Sequence, residues 1–269
     1  MKELYLISKG QPKIPLEAEV IKPDSLAGLS TEEIANLIIY RGNRRVRLGE
    51  YFEVKGEAAD NPEELRVIVE GDVSRTKYIG AEMSAGELIV NGSPYMYLGA
   101  WMSGGKIVVN GNVGDFAALE MSGGELVING NAGNYLGAAY RGNWRGMSDG
   151  LIVVKGNAGA EIGSWMMGGK IVVEGSTGPF TGVHMSDGII VVYGELGPRA
   201  GAQMTWGSIV VYGYAPELLP SFSFNEVIPA VEIEEERFEG PFIEYLGDLA
   251  EEGEGSIYLL EEKNKHLKP

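Results

Sequence analysis

Two segments concentrate the side chains that could bind an anionic group. Residues 40–47 contain four Arg residues, and residues 140–146 contain two more and repeat the tetrapeptide Tyr-Arg-Gly-Asn, in a chain of net charge −16. A guanidinium group can bind a carboxylate through two parallel hydrogen bonds, so both segments are candidate contacts for an acidic partner or ligand. Solvated surface residues are an equally good interpretation. The residues concerned are Arg41, Arg44, Arg45, Arg47, Arg141 and Arg145.

A recurring Gly-x-x-Gly-x-x-x-Gly pattern resembles a phosphate-binding loop at first sight. A dinucleotide-binding fingerprint, however, follows one strand, opens one helix and has an acidic residue about 20 positions later. Here the pattern recurs without a predicted helix, so we interpret its glycines as structural residues at corners where stacked backbones approach closely and φ can be positive. The glycines are Gly130, Gly133, Gly137, Gly156, Gly159, Gly163, Gly175, Gly178, Gly182, Gly194, Gly197 and Gly201.

The chain has few groups for covalent, redox or metal chemistry. It contains no Cys and two His residues, His184 and His266, which excludes disulfides, thiolate metal sites, iron–sulfur ligation and a Cys nucleophile. We interpret His184 as a surface or interface side chain, and Trp101 and Trp165 as outward-facing residues suited to a protein contact. The sequence therefore predicts no catalytic, cofactor-binding or metal-binding residue.

The charge balance limits the classes of partner. With 22 basic and 38 acidic residues, the chain is not expected to bind nucleic acid or an anionic membrane surface. The sequence has no apolar run of about 18 residues and no secretory h-region near Met1. We therefore expect a soluble, cytoplasmic protein.

The elements that must position these residues come from an internal repeat. One Gly recurs about every 19 residues, an apolar triplet precedes it, and Met recurs at a fixed place in seven units. Gly at this density disfavours helices, whereas short apolar runs between glycines indicate strands and turns. Without a hairpin signature between units, this pattern predicts an all-β protein, a right-handed parallel β-helix of about eight coils with a period of 19. The leading glycines are Gly71, Gly92, Gly111, Gly130, Gly156, Gly175, Gly194 and Gly213.

Strand alternation assigns the faces of these triplets. The first and third residues, such as Ile107 and Val109, should face the interior, and the middle residue, such as Val108, should face outward. A row of outward aliphatic side chains needs a cover. The Met column should pack in the core, because its flexible thioethers can fit between small residues.

The flanks are expected to cap the repeats with short α/β segments, which divides the chain into residues 1–64, 65–213 and 214–269. In the first part, Ser30 and Glu33 form a capping-box pattern that predicts a helix through about Leu37. In the acidic last part, residues 242–246 are predicted to begin a helix and residues 256–260 to form a final strand.

The Gly motifs resemble the Gly-repeat C-terminal domain of glutamate synthase large subunits, a right-handed β-helix. The fuller chain resembles the C subunit of molybdenum/tungsten formylmethanofuran dehydrogenase and its relative in bacterial formyltransferase/hydrolase complexes. The segments that carry this second resemblance are residues 15–18, 23–30, 42–43, 48–54, the repeats, and 245–248.

The second resemblance implies a place in one-carbon metabolism and methanogenesis. The complex of that family reversibly reduces CO2 and forms formylmethanofuran. Its molybdenum or tungsten pterin, iron–sulfur clusters and binuclear metal site lie in other subunits, which are pterin-binding, ferredoxin-like and amidohydrolase-like. The resemblance thus implies a non-catalytic scaffold subunit without a cofactor of its own. It leaves open which metal is used, the direction of flux, the stoichiometry, and whether the Arg-rich segments bind a partner subunit or the tail of methanofuran.

An alternative from another class is a stand-alone domain similar to that of glutamate synthase. Such a domain would act as a spacer or partner in amide-nitrogen transfer. The identity of a copurifying subunit distinguishes the two, because a pterin enzyme supports the first hypothesis and a glutamine amidotransferase supports the second.

Overall fold

The computed structural model describes residues 1–10 and 12–269, and strands dominate them. The helices are α1 (Pro23–Leu26), α2 (Thr31–Asn36) and α3 (Glu261–Asn264), and short 3₁₀ turns lie at Leu48–Glu50, Pro62–Glu64, Leu249–Glu251 and Lys265–Leu267. The strands are β1 (Lys2–Ser8), β2 (Leu16–Glu17), β3 (Ile38–Arg41), β4 (Arg44–Arg47), β5 (Phe52–Gly56), β6 (Leu65–Glu70), β7 (Thr76–Lys77), β8 (Glu87–Asn91), β9 (Ser103–Val109), β10 (Ser122–Ile128), β11 (Asp149–Val154), β12 (Met167–Val173), β13 (Asp187–Val192), β14 (Ser208–Val211), β15 (Ser223–Ile233), β16 (Glu236–Gly247) and β17 (Gly255–Leu260).

Most strands join one large mixed sheet. Its thirteen strands lie in the order β15-β16-β17-β14-β13-β12-β11-β10-β9-β8-β6-β1-β5. In this spatial order, neighbouring strands from β17 to β1 pair in parallel. The pairs at the two ends are antiparallel, where β5 joins β1 and where β16 joins β17 and β15. A smaller sheet has the order β4-β3-β2-β7. The first Arg-rich segment lies in this smaller sheet, whereas residues 140–146 lie in the connection between β10 and β11.

The predicted right-handed parallel β-helix of about eight coils is corrected by this topology, although the all-β class is consistent with it. Each repeat contributes one strand to a 13-stranded mixed sheet. The rest of each repeat is mostly turn. Isolated parallel bridges there join Val113 to Ala132, Ala132 to Ala158, and Ala158 to Thr177. The reason is local, since several residues of each Gly-rich stretch have positive φ, which interrupts extended backbone. The end segments also pair into the large sheet as β1, β5 and β15–β17 rather than only capping it.

The predicted faces of the central strands are confirmed. Ile107 and Val109 are fully buried, whereas Val108 between them is half-buried. The strands pair in register, so that Val127 lies between Val108 and Val153. Burying an aliphatic side chain contributes about 1.5–3 kcal/mol. All seven methionines of the column are also fully buried, as predicted: Met83, Met102, Met121, Met147, Met166, Met185 and Met204.

A C-terminal hairpin covers part of the outward apolar row. Val231, Phe238 and Phe242 of β15 and β16 pack on Val191 and Val210 of the sheet. The helix predicted to begin at residues 242–246 is therefore wrong, because this segment pairs with β17 as a strand. The predicted last strand is confirmed as β17. The outward row is thus covered at β13 and β14 and half-buried at β8 to β11.

The N-terminal segment contains the predicted helix. In α2, the Ser30 hydroxyl accepts a hydrogen bond from the Glu33 backbone N–H, and the Glu33 carboxylate accepts one from the Ser30 N–H at 2.8 Å. The capping box is therefore confirmed. Beyond α2, β3 and β4 form a hairpin closed by Gly42 and Asn43. The three-part division of the chain remains a prediction.

Candidate functional site

Two columns of outward side chains start from left-handed backbone. Non-glycine residues with φ between +51° and +63° recur at two positions of the repeats. This conformation costs an L-residue about 1–2 kcal/mol, and it projects the side chain at the same place in successive repeats. The first column is Tyr78, Tyr97, Phe116, Tyr135, Glu161, Phe180 and Arg199. The second is Glu82, Trp101, Glu120, Trp165, His184 and Gln203.

The first column begins with four stacked rings. Centroids are 4.7 Å apart for Tyr78 and Tyr97, 5.1 Å for Tyr97 and Phe116, and 4.6 Å for Phe116 and Tyr135. The guanidinium of Arg141 lies 5.9 Å from the Phe116 centroid and 5.8 Å from that of Tyr135. Such contacts contribute about 0.5–1 kcal/mol at exposed sites. Residues 140–146 lengthen one repeat from 19 to 26 residues, and we call them the insertion. The insertion therefore folds onto these rings, and Arg141 is partly engaged within the chain.

Tyr78 and Tyr97 of this row stay protonated at neutral pH. Burial, with smaller contributions from Tyr97 and Glu17, raises the pKa of the Tyr78 hydroxyl to about 12. Burial and then Tyr140 raise the pKa of Tyr97, although Arg141 opposes the increase. Tyr78 and Tyr97 are thus neutral aromatic groups of this surface rather than phenolates.

Glu120 holds the insertion on the second column. Its carboxylate accepts hydrogen bonds from the Trp101 indole at 2.9 Å, the Tyr140 backbone N–H at 2.9 Å and the Asn143 amide at 2.6 Å. Hydrogen bonds to a charged carboxylate are stronger than those between two neutral groups. Sequence reasoning missed this role. The available signal was the position of Glu120, one repeat before Ala139, where the insertion begins.

Beyond the insertion, the second column lines a groove. The ring centroids of Trp165 and His184 are stacked 3.9 Å apart. Burial lowers the pKa of His184, although Glu251 and Glu161 oppose the shift, so the imidazole is neutral at pH 7. The groove has a volume of about 570 Å³ and is lined by Trp144, Arg145, Trp165, Met167, His184, Ser186, Gln203, Thr205 and Glu251.

The structure brings some of the sequence-selected residues together. Trp165 and Arg145 line the groove, whereas Trp101 packs on Tyr78 with centroids 6.2 Å apart. Trp101 and Trp165 are both half-buried, and two repeats separate them, with Glu120 and Ala139 at the corresponding positions. The two tryptophans therefore do not form one contact patch by themselves.

The first Arg-rich segment lies on the hairpin of β3 and β4. Arg41 is half-buried and donates a hydrogen bond of 2.7 Å to the Tyr51 hydroxyl. Arg44, Arg45 and Arg47 are exposed on β4, the edge of the smaller sheet. Within residues 1–10 and 12–269, these three exposed side chains form no ion pair. They are available to a partner in a way that Arg41 is not.

The Gly motif has two kinds of constraint. The third glycine of each motif has positive φ, as at Gly163 with +62°. At the second position, a Cβ on Gly197 would lie 2.1 Å from the Gly178 carbonyl oxygen, and one on Gly133 would lie 2.8 Å from the Asp115 N. Real Cβ atoms do not approach backbone so closely, and a side chain there requires the backbone to move. The structural role assigned to the motif remains a proposal that these contacts support.

Metal clusters and membrane-spanning helices are both absent from the part of the chain that the structure describes. No group of three or more His, Asp or Glu side chains there could hold a metal ion. No helix there is long and apolar enough to span a bilayer.

Comparison with known proteins identifies the family. The defining pattern of the GXGXG motif family matches residues 66–240. The chain belongs to this family. The match covers β6 from Arg66, the strands β7 to β15, both left-handed columns and every groove residue of this GXGXG protein except Glu251.

Named relatives agree with the sequence resemblance. The chain is 54% identical over 96 residues to the C subunit of the tungsten-containing formylmethanofuran dehydrogenase 2 of Methanothermobacter wolfeii, covering 36% of each chain. It is 45% identical over 87 residues to the C subunit of the molybdenum-containing formylmethanofuran dehydrogenase 1 of Methanothermobacter marburgensis, covering 32% of this chain and 21% of the relative. The aligned parts thus span about a third or less of these relatives. The resemblance to this type of subunit is confirmed.

A solved structure matches over a longer range. A chain of the crystal structure of the formyltransferase/hydrolase complex (FhcABCD) from Methylorubrum extorquens in complex with methylofuran has a TM-score of 0.85. Its identity to this GXGXG protein is 29%, and the match covers 95% of this chain and 99% of that one.

Proposed function

We propose that this chain is a structural subunit of a formylmethanofuran dehydrogenase complex and contributes no catalytic group. The observation that carries the proposal is the match over 95% of this chain and 99% of a chain from a formyltransferase/hydrolase complex. Relatives named as C subunits of formylmethanofuran dehydrogenase support the same assignment. The complex would reversibly reduce CO2 and form formylmethanofuran in the cytoplasm, with this chain holding other subunits in place.

The chain's donor set does not fit the metal groups of such a complex. An iron–sulfur cluster needs several thiolates and a binuclear hydrolase site needs several His and carboxylate ligands, whereas the sequence has no Cys and two His. We therefore assign the molybdenum or tungsten pterin, the clusters and the binuclear site to pterin-binding, ferredoxin-like and amidohydrolase-like partners. No step of the reaction is assigned to this chain.

The exposed Arg residues are proposed contact points within the complex. Arg44, Arg45 and Arg47 face solvent on an edge strand, and Arg145 faces the groove. On a chain of net charge −16, these groups suit either an acidic surface of a partner subunit or the glutamyl-bearing tail of methanofuran. The two ligands share carboxylate chemistry, and the effects of variants on assembly and on KM separate them.

Affinity purification from the native cell tests the proposed function. A tagged chain should recover the pterin-binding and amidohydrolase-like subunits, identified by mass spectrometry, together with formylmethanofuran dehydrogenase activity. Recovery of a glutamine amidotransferase instead would favour the glutamate-synthase-like alternative. No observation on the relatives favours that alternative, since those named above are dehydrogenase subunits.

A further inference from the structure

Large apolar side chains are exposed in the groove and near its lining residues along the chain. Trp144 is 71% exposed, Trp206 56%, Leu249 54% and Met167 40%. Trp144 and Met167 line the groove, Trp206 follows the lining residue Thr205, and Leu249 lies two residues before Glu251. We call the groove and these four residues the groove surface. Clusters of exposed apolar side chains are rare on soluble proteins and commonly mark a binding site.

We propose that the groove surface is the docking site for another subunit of the enzyme complex, which places a carboxylate on Arg145 and an apolar side chain against Trp144 and Trp165. The inference rests on the proposed function and specifies which face of the chain performs it. Trp, Met and Arg are enriched in the buried centres of protein interfaces. The groove surface contains all three.

The insertion presents its side chains in a fixed position. Glu120 accepts hydrogen bonds from Tyr140 and Asn143 at one end of the insertion. At the other end, the Gly146 N–H donates to the Trp165 carbonyl at 2.8 Å. Trp144 and Arg145 lie between these two anchors. A partner would therefore bind a preorganised loop and lose little conformational entropy in the loop on docking.

The charges identify the kind of partner. Arg145 forms no ion pair with any residue that the structure describes, whereas Glu251 accepts a hydrogen bond from the Gln203 amide at 3.2 Å. Because that amide is neutral, Glu251 keeps its negative charge, and the groove offers Arg145 to a carboxylate and Glu251 to a basic group of the partner. A second copy of the chain is disfavoured because two chains of net charge −16 repel each other.

Paired substitutions test the surface in the native cell. Tagged chains carrying Trp144→Ala or Arg145→Glu are purified, and the ratio of formylmethanofuran dehydrogenase subunits to tagged chain is measured by mass spectrometry. Controls are Tyr193→Ala, another exposed aromatic residue, and Lys155→Glu, an equal charge change at the exposed residue that follows β11. We expect each groove variant to lower the ratio at least about tenfold, with the melting temperature of the chain unchanged, and each control to retain the wild-type ratio.

The outcomes separate this surface from the proposed function. Wild-type ratios in both groove variants overturn the groove surface and leave the scaffold role standing. Failure of the wild-type chain to recover any subunit of the complex overturns both. Light scattering of the pure chain measures whether it forms a dimer. A dimer that Trp144→Ala dissociates would show that a second copy of the chain binds the groove surface, and it would overturn the proposal.

Discussion

The indole Nε1 of Trp101 donates a hydrogen bond of 2.9 Å to the carboxylate of Glu120, one repeat further along the chain. The other oxygen of that carboxylate accepts two hydrogen bonds from the insertion. One side chain therefore ties a left-handed column to the loop that interrupts the repeat. Glu120 fixes the loop without forming part of the groove.

Glu120→Ala should free the insertion. Loss of three hydrogen bonds to a half-buried carboxylate should lower the free energy of unfolding by about 1–2 kcal/mol, measured by urea denaturation. Trypsin should also cleave faster after Arg141 or Arg145. Glu82→Ala is the matched control, because Glu82 has the same left-handed backbone but is exposed, with one ion pair to Lys22 at 3.4 Å. Equal stability and cleavage in the two variants would contradict the role of Glu120.

Gly163→Val should destabilise the fold by about 2 kcal/mol or more. The backbone has φ +62° at this position, and a Cβ would lie 2.7 Å from the Ile190 Cδ1. Gly142→Val separates strain from crowding, because Gly142 has φ +87° but a Cβ there would have no neighbouring atom within 4 Å. In thermal denaturation, the melting temperature of Gly163→Val should be well below that of Gly142→Val. A Gly163→Val protein that melts with wild type would disprove the corner interpretation.

Charge reversal at Arg44, Arg45 and Arg145 should weaken assembly or raise the KM for methanofuran. An Arg–carboxylate pair contributes about 1.5–3 kcal/mol where water is excluded, whereas a solvated Arg contributes almost nothing. The melting temperature should stay nearly constant, because all three side chains are exposed. The control is a variant with the same charge difference at three exposed lysines elsewhere in the chain, all changed to Glu: Lys55, Lys155 and Lys263. Normal assembly and turnover of the Arg variant would show that these segments are solvated loops.

The isolated chain should show no formylmethanofuran oxidation, formyl transfer or amidohydrolysis, and should bind no metal ion tightly. The reason is that the sequence contains no Cys and two His residues, which are too few for the metal sites of these reactions. Activity assays and metal analysis of the pure chain check this. Turnover that is lost on substitution of a residue of this chain would contradict a purely structural role.

His184 should make the fold less stable in mild acid. Burial lowers its pKa below the ordinary value of 6.5, so the folded state favours the neutral imidazole and the unfolded state binds the proton more readily. This contribution is complete above pH 6.5 and is lost as the pH falls through the unfolded and then the folded pKa. The fall in melting temperature between pH 7.5 and about pH 5 should be smaller in His184→Gln than in wild type. An equal fall in the two proteins would contradict this contribution of His184.

The burial pattern was readable from the sequence because it is local and periodic. The alternation at Ile107 and Val109 assigns the interior without any knowledge of neighbours. The strand at residues 242–246 was not readable, since pairing with β17 overrides the local preference. The role of Glu120 was hidden for a similar reason. Its three donors come from residues 19 to 23 positions away, and only the path of the insertion brings them together.

The antiparallel strands at the two ends of the large sheet also protect the protein against fibre growth. A stack of parallel repeats offers each end as a template on which another molecule could add in register. Here β5 and β15 form the ends, and both run antiparallel to their neighbours. β5 carries Glu53 and Lys55, and β15 carries Pro229. Charges and proline on an edge strand oppose further pairing. We therefore expect the sheet to end at β5 and β15 and not to continue into a second molecule.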